Sequence, residues 1–384
     1  MNPPARPVRA RGLGLEFEGT TGALNAITDV PGVEVGHVTL ISGDGPLTVG
    51  SGPVRTGVTA ILPRGREAVS VPCAAGTFSL NGNGELTGRT WIDESGQFQT
   101  PILLTNSHAV GACHTGADRW MQRTVPPAAN RWMLPVVGET WDGYLNDING
   151  GHVTPDVAEQ ALDAAAPGPV AEGSVGGGTG MNCYEFKGGV GTSSRTVEIR
   201  GARYTVGVYL QANFGAREEL VLGGFPFGRR TAVPCPIATE PWLEADDGRT
   251  AVAPGAGSVI GVAATDAPLL PQQCAALARR IPLGLARTGT SGSHFSGDIF
   301  LGFSTANAGA LRSDMGGRRE SPLDRLDFLP WGDIDPIYRA VVQAAEEAVA
   351  NVLVAADDMV GRDGHTSYAL PHAEIEAALR VRRS

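Results

Sequence analysis

The most chemically suggestive residue in this sequence is a serine that opens a buried strand directly behind a flexible, glycine-terminated segment. From Glu240 to Gly257 the chain reads EPWLEADDGRTAVAPGAG, which is polar, acidic and rich in Gly, Pro and Ala, the composition of a mobile surface linker. SVIGVAATDAPLL follows at once, an apolar strand and then a helix start. If the chain were cut between Gly257 and Ser258, Ser258 would carry a free α-amine beside its own hydroxyl. Such an amine titrates near ~7.7–8.0, against ~10.4 for lysine, so much of it is unprotonated near neutrality. It could serve as general base for the hydroxyl of the same residue without any histidine. The hydroxyl could also make the cut itself by attacking the Gly257 carbonyl, where glycine puts no side chain in the way. The same junction also reads as an ordinary long loop entering a strand.

A nucleophile of this kind needs oxyanion donors and an orienting shell. Asn213 ends an apolar run in YLQANFG and has an amide to donate; turn formation is its alternative role. Tyr144, in WDGYLNDING, has a phenol to donate or a ring to pack. Ser296 and Asp298, in HFSGD, stand two apart before an apolar run, so on a strand a hydroxyl and a carboxylate would face the same way. Together they could hold the Ser258 amine and hydroxyl, or simply cap a turn.

Competing motifs are weaker. SVGGGTG at 174–180 looks superficially like a phosphate loop, but no Lys-Ser/Thr pair follows it, and its glycines suit a bend. No GxSxG elbow precedes a helix. His37, His108, His152 and His294 stand singly, as structural histidines do. Cys113-His114 resembles a metal corner, but adjacent residues rarely point at one site and no second cluster follows. Cys73, Cys113, Cys183, Cys235 and Cys274 are odd in number and without a CxxC pair, the pattern of reduced, buried thiols. No metal and no cofactor is expected.

These groups must be positioned by a mostly β framework. Strands are expected at Val33–Leu40, Val58–Leu62, Pro101–Thr105, Tyr204–Gln211, Ser258–Thr265 and Asp298–Ser304, nearly all apolar as in sheets covered on both faces. Helical spacing marks Asp156–Ala166, Leu270–Leu285, Tyr338–Leu353 and Ala373–Val381. Strands and helices do not alternate regularly, which argues for packed sheets with helices outside. The 53 glycines among 384 residues exceed the usual ~7% roughly twofold and imply many tight turns and close approaches. A net charge of −10 disfavours nucleic-acid partners. No apolar run nears the ~18 residues of a membrane span, and the basic N-terminus lacks the apolar stretch of a secretory signal, so a cytoplasmic location is the default expectation.

The motifs together resemble the family of L-aminopeptidase/D-esterases and β-peptidyl aminopeptidases. The resemblance runs from NAITDVPGVEVGHVTL through RTGVTAILPRG, ETWDGYLNDING, KGGVGTSSR and YTVGVYLQANFG to GSVIGVAATDAPLLPQQ, LARTGTSGSH and SGDIFLGFSTAN, nearly the whole chain. It implies self-cleavage before Ser258, giving fragments 1–257 and 258–384 of one domain. It implies an oxyanion asparagine at Asn213, a tyrosine at Tyr144, and a second serine and acid at Ser296 and Asp298. β-Peptidyl members carry Glu at the last place, so Asp298 looks closer to the α-aminopeptidase branch. A family glutamate that receives the substrate's free amine falls on Glu139. The implied fold is an α/β/β/α sandwich related to ornithine acetyltransferase and similar in layout to N-terminal-nucleophile hydrolases. Homotetramers of processed heterodimers, a small peptide or amino-acid amide as substrate, and independence of metal are implied as well. The 240–257 linker and the N-terminal extension look longer than is typical of the family. Two other functions stay open: acyl transfer, against which serine rather than threonine at the nucleophile position argues, and non-catalytic ligand binding.

Overall fold

The computed structural model describes residues 8–127, 132–242, 255–313, 321 and 323–383. In chain order the strands are β1 (Glu34–Ser42), β2 (Val54–Leu62), β3 (Cys73–Ser79), β4 (Gln97–Phe98), β5 (Ile102–Asn106), β6 (Val136–Thr140), β7 (Asn182–Cys183), β8 (Phe186–Lys187), β9 (Gly189–Ile199), β10 (Ala202–Asn213), β11 (Gly257–Thr265), β12 (Ser296–Ser304), β13 (Met359–Val360) and β14 (Thr366–Ser367). The helices are α1 (Arg89–Ser95), α2 (Val110–Thr124), α3 (Pro155–Asp163), α4 (Pro236–Thr239), α5 (Pro271–Ala278), α6 (Ile281–Ala286), α7 (Asp335–Val354) and α8 (His372–Arg383).

Two sheets stack face to face. One has four strands in the order β1-β2-β5-β6, the other six in the order β4-β3-β12-β11-β10-β9. Between them lies an apolar layer in which Ile61, Ile102 and Leu104 meet Tyr209, Ile260, Val262 and Leu301. The outer face of the smaller sheet, with Val58, Ala60 and Val137, packs on Ala117, Trp120 and Ala158 of α2 and α3. The outer face of the larger sheet, with Val208, Val259 and Phe300, is covered by α5, α6 and α7. The architecture is therefore the four-layer α/β/β/α sandwich. Each buried face removes apolar side chains from water, worth about 25 cal/mol per Å².

All six expected strands form, with ends shifted by up to four residues. The helix expected over 270–285 is two helices, α5 and α6. Pro282 lacks the N–H that a continuous helix would offer to Ala278 and its ring crowds that carbonyl, so the chain restarts there. Helix α2 was not anticipated, because Gly111 and Gly116 lower helix propensity. Gly116 instead serves contact: a Cβ there would lie 2.5 Å from the Pro155 carbonyl oxygen and 2.7 Å from the Ala158 Cβ, so glycine lets α2 and α3 touch. Strands β3, β6 and β9 also lie outside those expected. In β9 the polar run Thr192–Arg195 hides the strand, yet all four residues are buried. Arg195, for example, donates to Glu347 at 2.8 Å from inside the fold. Buried polar groups with partners do not show as an apolar pattern. Among the described residues, no helix is long and apolar enough to cross a membrane.

Candidate active site

Strand pairing decides what surrounds Ser258. It is the second residue of β11, buried, and its Cα pairs with Asn213 on antiparallel β10 and with Gly297 on parallel β12. Alternation along the strand puts its side chain on the same face as Ile260 and Val262, toward the smaller sheet. There the backbone N–H of Trp141, just beyond β6, donates to Ser258 Oγ at 3.2 Å. Oγ is the acceptor in that bond, so its proton stays available for transfer.

Asn213 closes β10 opposite the serine. Its Oδ1 accepts the Asn182 N–H at 2.8 Å, which turns the Nδ2 donor toward β11. A Cβ built on Gly257 would stand 3.4 Å from that Nδ2. The asparagine is thus a pre-aimed N–H donor beside the residue whose carbonyl precedes Ser258.

Ser296 and Asp298 form a pair of their own. Ser296 Oγ donates to Asp298 Oδ1 at 2.6 Å, and Asn81 Nδ2 donates to Asp298 Oδ2 at 3.1 Å. Burial pushes the Asp298 carboxyl above its ordinary range, opposed by the Ser296 and Asn81 bonds and by the Val259 N–H. Register aligns Ser296 with Gly257 and Asp298 with Val259, so the pair lies beside the backbone on either side of Ser258. Its side chains share the face of Val259 and Phe300, opposite the face of Ser258 Oγ. They flank Ser258 through their register partners, Gly257 and Val259, on the face opposite its hydroxyl.

Glu139, in β6, is buried and holds two donors: the Ser107 hydroxyl on Oε2, and the Glu85 N–H on Oε1 at 2.9 Å. Burial raises its pKa above the usual carboxylate range, against the pull of these two bonds. Tyr144 is buried behind the site. Its hydroxyl donates to the Thr366 carbonyl at 3.4 Å, and its ring meets Trp242 edge-on at 5.0 Å. Burial raises its pKa as well.

A cavity of about 730 Å³ gathers Ser258, Asn213 and Glu139 on one surface. Tyr144, Ser296 and Asp298 are not in its wall, whereas Trp242, whose ring meets that of Tyr144, is. Trp141, Phe214, Ile237, Trp242 and Phe295 make much of that wall apolar. The expected linker contributes its ends, Trp242 on one side and Gly255 to Gly257 on the other, while residues 243–254 lie outside the described residues. The volume suits a small ligand with an apolar body and few polar anchors.

The competing motifs resolve as structure. In the 174–180 stretch the Gly176 and Gly177 N–H groups donate to the Thr39 and Thr59 hydroxyls, between the sheets. His37 is half-buried with its ring nitrogen 3.0 Å from the Tyr209 hydroxyl, and loss of solvent around the ring lowers its pKa to about 4. Cys113 is buried, whereas neighbouring His114 turns to Asp118 at 3.3 Å. Sequence reasoning overlooked Asn81, Ser107, the Trp141 N–H, Asn182 and Lys187. Lys187 is fully buried and donates from Nζ to the Met181 and Gly188 carbonyls at 2.7 and 2.9 Å, which pins the hairpin that carries Asn182. Burial lowers its pKa to about 7 and raises that of nearby Asp142 to about 7.

This arrangement has close counterparts. The model of peptidase family S58 matches residues 25–367. The chain belongs to peptidase family S58. The β-peptidyl aminopeptidase BapA of Sphingosinicella microcystinivorans is 50% identical over 375 residues, covering 98% of this chain and 92% of the relative. Its namesake from Sphingosinicella xenopeptidilytica is 46% identical over 382 residues, covering 97% and 91%. Among solved structures, the L-aminopeptidase D-Ala-esterase/amidase of Ochrobactrum anthropi, described as a prototype serine aminopeptidase and a variant of the Ntn hydrolase fold, superposes with a TM-score of 0.88 at 42% identity, covering 98% and 99%. A Burkholderia β-aminopeptidase gives 0.86 at 43%, covering 97% and 98%. This S58 chain is an aminopeptidase, a hydrolase acting on peptides. Acyl transfer and non-catalytic binding are not favoured.

Proposed function

We propose that the chain is a precursor that cleaves itself between Gly257 and Ser258, into 1–257 and 258–384 of a single domain, and then uses Ser258 as nucleophile. In the first step Ser258 Oγ attacks the Gly257 carbonyl carbon. The C–N bond breaks, the nitrogen takes the proton, and an ester joins the two parts. Water hydrolyses that ester, leaving a Gly257 carboxylate and a free Ser258 α-amine. In turnover the amine takes the Oγ proton as Oγ attacks the first amide or ester carbonyl of the substrate, and returns it to the leaving group; water then hydrolyses the acyl ester on Oγ, releasing the acid and restoring the hydroxyl. Asn213 Nδ2 and the Trp141 N–H donate to the oxyanion. Tyr144 is a further oxyanion donor in this reading, its hydroxyl leaving the Thr366 carbonyl to reach the site. Ser296 and Asp298 hold the new amine, and Glu139 receives the substrate's own amine.

The observation that carries this reading is the convergence of Ser258, its Trp141 donor and the pre-aimed Asn213 amide on one cavity. The apolar wall favours substrates whose first residue is apolar or aromatic. The relatives' names favour β-amino-acyl substrates, whereas the shorter Asp298 favours L-α-amino-acyl ones, and a panel of L-, D- and β-amino-acyl p-nitroanilides separates the two. A homotetramer of processed heterodimers in the cytoplasm is part of the same proposal. The decisive test is Ser258→Ala: one uncut band on a denaturing gel and no activity are expected, and two bands would refute the mechanism.

A further inference from the structure

The loop after β3, Leu80-Asn-Gly-Asn-Gly-Glu85, reaches both carboxylates assigned above. At its start Ser79 Oγ donates to the Asn81 carbonyl at 2.8 Å, and Asn81 Nδ2 donates both to Asp298 Oδ2 at 3.1 Å and to the Ser293 carbonyl at 3.0 Å. In the middle, Asn83 Nδ2 donates to the carbonyl of Phe295, whose ring lines the cavity, at 2.9 Å. At its end the Glu85 N–H donates to Glu139 Oε1 at 2.9 Å.

The loop also lies directly on the strand that pairs with the nucleophile. A Cβ on Gly297, the Cα partner of Ser258, would stand 2.1 Å from the Asn83 carbonyl oxygen. A Cβ on Gly84 would be 3.1 Å from Glu139 Oε1 and 3.2 Å from the Gly297 Cα. Backbone therefore packs on backbone here, with no compressible side chain between. A six-residue segment thus contacts Asp298, Glu139 and the register partner of Ser258, although its middle residues are exposed.

We infer that residues 80–85 act as a positioning strap that holds Asp298 beside the Ser258 nitrogen and Glu139 at a fixed span from the nucleophile, with the Asn81 amide and the Glu85 N–H as its two anchors. The inference rests on the proposed roles of Ser258, Asp298 and Glu139. Asn81 acts through Asp298 and touches no reacting atom; Glu85 acts through its backbone on Glu139. The span matters because a β-amino substrate places its amine one carbon farther from the reacting carbonyl than an α-amino one. A rigid strap makes that choice a property of the loop.

The groups acting on Asp298 are burial, the Ser296 hydroxyl, the Asn81 amide and the Val259 N–H, and from the loop the Leu80 N–H donates to the Asp298 main-chain carbonyl at 2.9 Å. Removing the Asn81 donor withdraws a bond that favours the ionised carboxylate, so Asp298 holds its proton to higher pH. The test compares wild type, Asn81→Ala and Glu85→Pro, which lacks the N–H, after thermal melts confirm folding. For Asn81→Ala we expect kcat on an amino-acyl p-nitroanilide to fall at least tenfold with KM within about twofold. The acid limb of kcat/KM should move up by half a pH unit or more. For Glu85→Pro we expect KM to rise at least fivefold, with a smaller change in kcat and an altered ratio of β- to α-substrate turnover. A cut, active wild type with an unmoved acid limb in Asn81→Ala and unchanged KM in Glu85→Pro overturns the strap alone. An uncut or inactive wild type instead overturns the reading beneath it.

Discussion

Replacing Asn213 tests the side-chain donor proposed for the oxyanion. Its Oδ1 is fixed by the Asn182 N–H at 2.8 Å, so Nδ2 has one orientation and pays no ordering cost when charge develops. Loss of one such donor lowers rates about 10²- to 10³-fold, or ~2.7–4 kcal/mol of barrier. Self-cleavage and turnover would share the nucleophile and the hole, so both should slow by that factor. Asn213→Ala also strands the Asn182 N–H, which could disturb the hairpin. Asn213→Asp separates the two effects, because the carboxylate still accepts that N–H but has no donor to give. We expect both variants to accumulate as uncut chain on a denaturing gel over the hours in which wild type is fully cut. The fraction that does process should show kcat reduced by the same factor, with KM within about threefold. Processing and turnover within threefold of wild type, in either variant, would refute the assignment of Asn213 to the oxyanion.

Two further substitutions test the flanking groups. Glu139→Gln keeps an acceptor for the Glu85 N–H but removes the charge, so KM for free-amine substrates should rise about 10- to 100-fold, the ~1.5–3 kcal/mol of a charged hydrogen bond. Self-cleavage of this variant should be unaffected, and an unchanged KM in steady-state kinetics would remove Glu139 from amine recognition. Lys187→Met leaves the buried Met181 and Gly188 carbonyls without their donor. At about 1–3 kcal/mol for buried groups left unsatisfied, it should lower the melting temperature by several degrees and slow turnover through the loosened Asn182 hairpin, and calorimetry with kinetics will show whether both fall together.

How much of this could be seen in the sequence follows from how local each signal is. Ser258 stands out because its cue is contiguous in the sequence: a polar, Gly- and Pro-rich stretch, a glycine, then an apolar run. The six expected strands were visible for the same reason. Asn81 was not, because nothing in NGNGEL says that its amide will reach a carboxylate 217 residues away. Lys187 was hidden by the opposite effect. A lysine ordinarily marks surface, and only a closed hairpin offering two carbonyls makes its burial tolerable. Tyr144 illustrates a third limit. Its motif suggests a place at the site, but its hydroxyl donates to the Thr366 carbonyl, 222 residues away, a partner that nothing local in WDGYLNDING announces.

The site is in the end a consequence of register. Antiparallel pairing of β10 with β11 sets Asn213 against Ser258, and parallel pairing of β11 with β12 sets Ser296 and Asp298 on either side of it. A slip of one residue in either ladder would turn the Ser258 side chain to the helical layer and carry Ile260 and Val262 out of the core between the sheets. The cost of moving those side chains is therefore also what keeps the Ser258 hydroxyl facing Trp141. Packing between the sheets and placement of the proposed catalytic groups are thus one constraint, with the apolar residues of β11 fixing which face Ser258 presents and the Trp141 N–H meeting its hydroxyl there.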